Sequence, residues 1–297
     1  MNSKYLISVK SSGLCFNIMR LIILTDIAKK YNRTLYFLTK PDHIPILKKF
    51  NNNCIYIPYI DSHTEQYNNF TRNKNIHILY DLKYISFLKK VYLNNIFNEP
   101  PIKDFTFFSG NAFDISDTDK KFLVIDYNDG MYDTEIINSI EIEPLVVASN
   151  ILNNISRDSV TINIKINVPG SKRIYKFWDE IIPLIKKQYN QPIFLISGNN
   201  DILEYLGSKY DCGYRSIATE TNYSNVRGND IVRGKPDEIF SDIIICSLTN
   251  FIPFTRLRRD YPGIMSRYTD LNFVVEKVEK FDILVEYLAK HITAPEP

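Results

Sequence analysis

Cysteine is scarce in this chain, and no two of its 4 cysteines stand close enough to act together. Cys15, Cys54, Cys212 and Cys246 form no C-x-x-C pair, so the usual zinc and redox spacings are absent and no disulfide framework is drawn. Reduced, mostly buried thiols are the expected state. Histidine offers no metal set either: His43, His63 and His77 lack ligand spacing, and each reads as a surface or supporting residue. No stretch reaches the roughly 18 apolar residues that a membrane-spanning helix needs. The N-terminus enters a strand-like run, Tyr5 to Val9, without an apolar leader core, so the chain is expected to be soluble and cytoplasmic. Charge of one sign is missing too. A net charge of +2 does not supply the concentrated basic face of a nucleic-acid partner.

What remains is an ordinary globular composition. The 297 residues are 44% hydrophobic and 24% charged, enough for two domains with full cores or for one large α/β domain. Runs of β-branched residues alternate with helical patterns. Tyr5 to Val9 reads as a strand, Asn17 to Tyr31 as a helix and Leu35 to Leu38 as a strand, which makes a right-handed βαβ unit. Its first turn carries one glycine, Gly13. That loop is either a plain tight turn or a contact for a phosphate or sugar. Pro41 to Phe50 reads as helical, Cys54 to Ile60 as extended, His77 to Tyr84 as a strand and Ser86 to Asn95 as a helix.

Phe122 to Asp126 has the apolar run of a parallel strand, and it leads into Asn128, Asp129 and Gly130. Asp126 and Asp129 are either turn residues or carboxylates placed to deprotonate a hydroxyl. Polar residues from Asn150 to Asp158 mark a boundary. Beyond it Val160 to Val168 alternates with period two, Tyr175 to Tyr189 carries a broad apolar helical stripe that includes a core Trp178, and Pro192 to Ser197 is a strand. Ile202 to Tyr210 then reads as a helix, Tyr214 to Ile217 as a strand and Phe281 to Ile292 as the last helix.

The stretch from Lys235 to Arg259 holds the densest polar cluster. Ile243, Ile244 and Ile245 read as a buried strand, with Ser247, Thr249 and Asn250 at its carboxyl end and Thr255, Arg256, Arg258 and Arg259 behind them. Either this is a strand followed by a solvated basic helix, or it is a diphosphate site.

These pieces have a shared order. The run from Gly13 to Asn17 is followed by a helix and by Asn32-Arg33-Thr34-Leu35; Phe194 to Asp201 reads FLISGNND; Asp242 to Phe251 carries Ser247, Thr249 and Phe251. In this order they resemble the fucosyltransferase-like glycosyltransferases of GT-B fold, a group that includes the α1,2- and α1,6-fucosyltransferases and the protein O-fucosyltransferases. The resemblance implies an α/β GT-B chain of two Rossmann-like domains facing across a cleft. Residues 1–152 would form the acceptor-side domain and residues 153–276 the nucleotide-sugar domain. Residues 277–297 would be a closing helix, packed back toward the N-terminal domain, with a frayed tail.

The resemblance also implies inverting, metal-independent transfer from a nucleotide sugar, GDP-fucose favoured, to a glycan or protein hydroxyl. No other cofactor is implied. Asp117-Thr118-Asp119, the one D-x-D, precedes a strand instead of ending one. The family's H-x-R motif falls on Asn163, Ile164 and Lys165, so asparagine and lysine stand where histidine and arginine would. Lysine keeps the charge but loses the bidentate fork. Lys165 is therefore the expected stabiliser of the leaving diphosphate, with Arg173 and Arg256 beside it. Asp201, Ser247, Thr249 and Asn250 would hold the donor's base, ribose and phosphates, and Gly13 and Asn17 would face the donor. Asp126 or Asp129 would be the base. A UDP-sugar donor, or a weakened protein that binds sugar nucleotides or glycans without turnover, are the alternatives.

Overall fold

Short runs of β-branched and aromatic residues, interspersed with helices, build two parallel sheets. The computed structural model describes residues 4–8, 13–58, 105–108, 114–125, 134–146, 149–152, 154–164, 172–216, 221–224, 230–233, 235–252 and 280–293. It divides the chain into two compact units, Met1–Glu143 and Pro144–Pro297. The expectations at His77 to Tyr84 and Ser86 to Asn95 lie outside the described residues.

In the first unit, β1 (Tyr5–Ser8) leads through α1 (Leu14–Lys30) to β2 (Thr34–Thr39), and a 3-10 turn at Pro41–His43 opens α2 (Ile44–Phe50) before β3 (Ile55–Pro58). Then come β4 (Phe105–Phe108), β5 (Phe122–Ile125) and the short α3 (Thr134–Ser139). The sheet order is β3-β2-β1-β5-β4, and every pairing is parallel. Parallel sheets are covered on both faces, and accordingly Leu6, Ile7, Leu35, Phe37, Leu123 and Val124 are all buried. From β1 the chain builds outward to β2 and β3, while β5 and β4 take the other side. The switch point therefore lies between β1 and β5, and the carboxyl ends of that pair are where open α/β sheets hold ligands.

The second unit has its own sheet, β12-β7-β8-β9. It opens with a short β6 (Leu145–Val146) and a 3-10 turn (Ser149–Leu152). The sheet itself uses β7 (Val160–Ile164), β8 (Ile193–Ser197), β9 (Gly213–Tyr214) and, after the antiparallel pair β10 (Thr221–Ser224) and β11 (Asp230–Arg233), β12 (Asn250–Ile252). β7 pairs in parallel with β8 on one side and β12 on the other, so its carboxyl end is the second switch point. Helices α4 (Lys172–Gln188) and α5 (Asn200–Tyr210) connect these strands. Val160, Ile162 and Ile164 pack with Trp178, Ile181, Ile182, Ile185, Leu195 and Leu203 in one core, confirming Trp178 as a core residue. Each such side chain contributes about 1.5–3 kcal/mol on burial.

One element differs in kind from its sequence reading. Ile243, Ile244 and Ile245 are not a strand: they lie in α6 (Pro236–Leu248), and the strand is the shorter β12 that follows. Pro236 occupies the first helical position and Asp237 and Glu238 the first turn, where a fixed φ and negative charge favour a helix. Glu238 Oε2 accepts from the Lys235 amide at 2.8 Å and closes the start. The three isoleucines are consecutive yet all buried, because α6 is covered by the sheet and by α7 (Lys280–His291). A short apolar run buried on all sides has the same pattern as a helix or as a strand.

Helix α7 packs on α6 within the second unit. The chain then runs into β13 (Ile292–Thr293), which pairs in parallel with β6. Both of these neighbours are in the second unit.

Candidate functional sites at the carboxyl edges of the two sheets

In the first unit, Gly13 caps α1 in an extended conformation, contributing its carbonyl to the amide of Asn17 at 3.0 Å. The helix thus begins at Leu14, three residues before the position expected from sequence. Asn17 is fully buried. Its Nδ2 donates to Thr39 Oγ1 at 3.1 Å and lies 3.0 Å from His43 Nδ1. One side chain therefore ties the first turn of α1 to the end of β2 and to the 3-10 turn. His43 is not a surface residue: only 5% of it is exposed, and burial pushes its ring down to about 4, with Asp42 opposing.

Next to this cluster stands Arg20, also fully buried. Its Nη2 donates to the carbonyl of Ile125 at 3.3 Å, and its guanidinium lies 5.9 Å from the ring centres of both Phe16 and Phe37. Ser8, Phe37 and Ile125 are register partners across β1, β2 and β5, so their side chains share the face covered by α1. Ser8 ends β1 with a fully buried hydroxyl that makes no hydrogen bond among the described residues. Ser8, Asn17, Arg20, Thr39 and His43 thus gather buried polar groups at one edge of an otherwise apolar core. The sequence reading selected only Asn17 from this set as a donor contact. The available signal was Arg20 itself, a cation inside the apolar run from Ile18 to Leu24.

At the opposite edge of the same sheet, Arg33 is the structural counterpart. It donates to Asp117 Oδ1 from Nε at 3.0 Å and Nη2 at 2.8 Å, and to the carbonyls of Tyr5, Thr118 and Lys120. The D-x-D thus contributes a carboxylate to an internal clamp.

In the second unit, the carboxyl edge is formed by the ends of β7 and β8 and the start of α5. Ser197 Oγ donates to the Ile164 carbonyl at 2.9 Å, joining the two strand ends. Asn199 caps α5, its Oδ1 accepting from the Ile202 amide at 3.2 Å. Asp201 sits exposed in the first turn of that helix. Asn163 is half-buried, one residue before the end of β7. Arg173 lies in the first turn of α4. Asn163, Asp201 and Arg173 therefore lie on elements that meet this edge.

Ser247, Thr249 and Asn250 lie elsewhere. Because residues 243–245 are helical, these three fall at the amino end of β12, where Asn250 is paired with Val160 at the amino end of β7. Ser247 is buried, and its Oγ donates to the Ile243 carbonyl at 2.8 Å. Thr249 Oγ1 reaches the Ile245 carbonyl at 2.8 Å and Thr161 Oγ1 at 2.7 Å. Asn250 Nδ2 donates to the Asp158 carbonyl at 3.3 Å. These hydroxyls and this amide bond the helix and the strand ends, not the edge where Asn163 and Asp201 lie. Lys165, Asp126, Asp129 and Arg256 lie outside the described residues; Lys165 is the residue after β7, Asp126 the residue after β5, and Arg256 the fourth residue after β12.

A second polar contact that sequence did not suggest joins Arg215 to α6, with Nη2 donating to the Glu238 carbonyl at 2.8 Å and to Asp242 Oδ1. Burial pushes the Asp242 carboxyl up to about 7, against the pull of Arg215. Among the described residues no cluster of histidine, cysteine and carboxylates could hold a metal ion, and no helix is long and apolar enough to cross a membrane.

No protein-family model and no curated protein sequence matches the chain. Solved structures do. A mutant of the Arabidopsis thaliana fucosyltransferase FUT1 in complex with GDP is 12% identical, with a TM-score of 0.49, over 97% of this chain and 68% of that one. The NodZ α-1,6-fucosyltransferase co-crystallised with GDP is 10% identical, with a TM-score of 0.45, over 98% of this chain and 93% of that one. A family 9 glycosyl transferase from Veillonella parvula is 10% identical, with a TM-score of 0.41, over 83% and 75%. The chain's own sheets make it an α/β protein of two units, each with a parallel sheet.

Proposed function

We propose that this chain is a glycosyltransferase that moves a sugar from a nucleotide donor to a glycan or protein hydroxyl, with GDP-fucose the favoured donor. One observation carries the reading. Four of the residues placed by the sequence resemblance, Gly13 and Asn17 in the first unit and Asn163 and Asp201 in the second, lie at the carboxyl edge of a parallel sheet beside its switch point.

In this reading the acceptor oxygen attacks the anomeric carbon as the bond to the diphosphate breaks, with inversion and without a metal. The acceptor proton passes to Asp126 or Asp129. Lys165, next after β7, neutralises the leaving diphosphate, with Arg173 and Arg256 as further candidates for that charge. A preorganised cation at developing negative charge is worth about 10²–10³ in rate.

The test is a thermal-shift and calorimetric screen of GDP, UDP and ADP, followed by diphosphate release from the matching nucleotide sugar. Stabilisation by GDP above the others is the expected result; stabilisation by none of the three sinks the reading. Lys165→Ala is expected to lower turnover at least tenfold with an unchanged melting temperature. Asn163 and Lys165, in place of histidine and arginine, favour one second reading: a protein that binds the sugar nucleotide with little turnover. Saturable GDP-sugar binding without release of GDP would select it.

A further inference from the structure

We propose that the amino edge of the first sheet is a docking face for an anionic lipid bilayer, built from lysines where two helices end and a strand begins.

The parallel sheet puts this face together. Because β1, β2 and β3 pair in parallel, α1 and α2 must run back toward the edge where the strands start. Lys29 and Lys30 end α1, and Lys48 and Lys49 stand in the last turn of α2. Lys120 and Lys121 come just before β5, whose first residue is paired with Tyr5 of β1. Three hydrogen bonds hold these pieces side by side. Asn51, after α2, donates from Nδ2 to Thr25 Oγ1 of α1 at 2.9 Å. The Tyr31 hydroxyl, after α1, donates to the Ile115 carbonyl at 2.8 Å, and Arg33 donates to the Lys120 carbonyl at 3.1 Å.

Charge is concentrated at this edge. The whole chain carries only +2, but with Lys4 and Arg33 the edge has eight cations against four carboxylates, Asp26, Asp114, Asp117 and Asp119. Asp117 is taken by Arg33 and Lys4. Among the described residues none of the other six lysines is in an ion pair, and all of them but Lys121 are exposed. Lysines at a helix carboxyl end answer the macrodipole. Lys120 and Lys121 end no helix, so the dipole does not account for them.

Apolar groups are mixed with the lysines. Ile55, the first residue of the edge strand β3, is 42% exposed. The Lys121 and Lys30 ammonium groups lie 6.0 and 5.3 Å from the ring centres of the half-buried Tyr5 and Tyr31. Lysine, tyrosine and an exposed aliphatic suit the headgroup region of a bilayer, where each lysine strengthens binding roughly fivefold. Nucleic acid is held through arginine forks and helix amino ends; here the one arginine is buried and engaged, and the helices present their carboxyl ends. The edge that carries Gly13 and Asn17 is the other end of the same strands, about 13–20 Å away. Docking leaves that edge uncovered and does not depend on the transferase reading.

Co-sedimentation of the full chain with vesicles tests this, using phosphatidylcholine alone and phosphatidylcholine with about one-third phosphatidylserine at about 0.1 M salt. Binding at least tenfold tighter to the anionic vesicles, and lost at about 1 M salt, is the expected result. Lys29→Gln/Lys30→Gln and Lys120→Gln/Lys121→Gln should each weaken it at least fivefold, and Ile55→Ser at least twofold. Lys176→Gln/Lys187→Gln, an exposed pair on α4 in the second unit, removes the same charge and should change binding less than twofold. No binding, or equal binding to the two vesicle types, overturns the proposal on the unaltered chain, whatever the variants do. So does an equal loss in the α4 pair, which would reduce the effect to net charge. A short DNA duplex that binds more tightly than the vesicles and is lost with the same lysines would assign the face to nucleic acid instead.

Discussion

The side-chain nitrogen of Asn17 lies 3.0 Å from His43 Nδ1, so the imidazole must accept there and carry its proton on Nε2. A neutral ring, a buried amide and the Thr39 hydroxyl then satisfy one another where α1, β2 and the 3-10 turn converge. Asn17→Leu removes the shared donor and leaves two buried groups without their partner. The expected loss is about 1–3 kcal/mol in urea-denaturation stability, and a loss below a few tenths would show that the cluster is slack.

The same arrangement sets a pH dependence. His43 titrates at about 4 in the folded chain and near 6.5 when unfolded, because burial disfavours its charge. As pH falls the unfolded chain takes up the proton first. Stability is therefore complete above pH 6.5 and declines between 6.5 and 4, by ~3 kcal/mol at the lower limit. Urea midpoints at pH 7, 6 and 5, for wild type and His43→Asn, check this. Identical pH slopes would remove His43 as the source.

Arg33 should matter more to folding than to any ligand. Its side chain is fully buried and binds Asp117 together with several backbone carbonyls, anchoring the strand ends and residues 117–121. Arg33→Met strands these acceptors at a cost of about 2–4 kcal/mol, and Asp117→Asn should cost less because that carboxylate is 38% exposed. Equal losses in the two variants would contradict the carbonyl contribution.

Asn199 gives a local control in the second unit. Asn199→Ala removes the bond from its Oδ1 to the Ile202 amide and should cost about 1 kcal/mol. Nucleotide binding that falls in Asn199→Ala with no change in stability would mean that this side chain meets a ligand instead of capping α5.

The strands at 5, 34, 122 and 193 were legible because buried parallel strands are nearly continuous apolar runs bounded by turns, and the strand at 160 by its period-two alternation. The run at 243–245 was not, since burial on every side erases the difference between period 2 and period 3.6. Only Pro236 and the acids behind it marked a helix start. That single error moved Ser247, Thr249 and Asn250 from one edge of the sheet to the other. His43 and Arg20 were hidden for another reason: their partners are 26 and 105 residues away, and no local pattern contains such distances.

The pairing of Ile292–Thr293 with Leu145–Val146 brings together the points where the backbone enters and leaves the second unit. Adjacent strands are about 4.8 Å apart, so a linker of a few glycines could bridge the two points. New termini could then be cut in a surface connection of that unit with its sheet order kept, which would allow the 144–297 half to be rearranged and handled as an independent folding module.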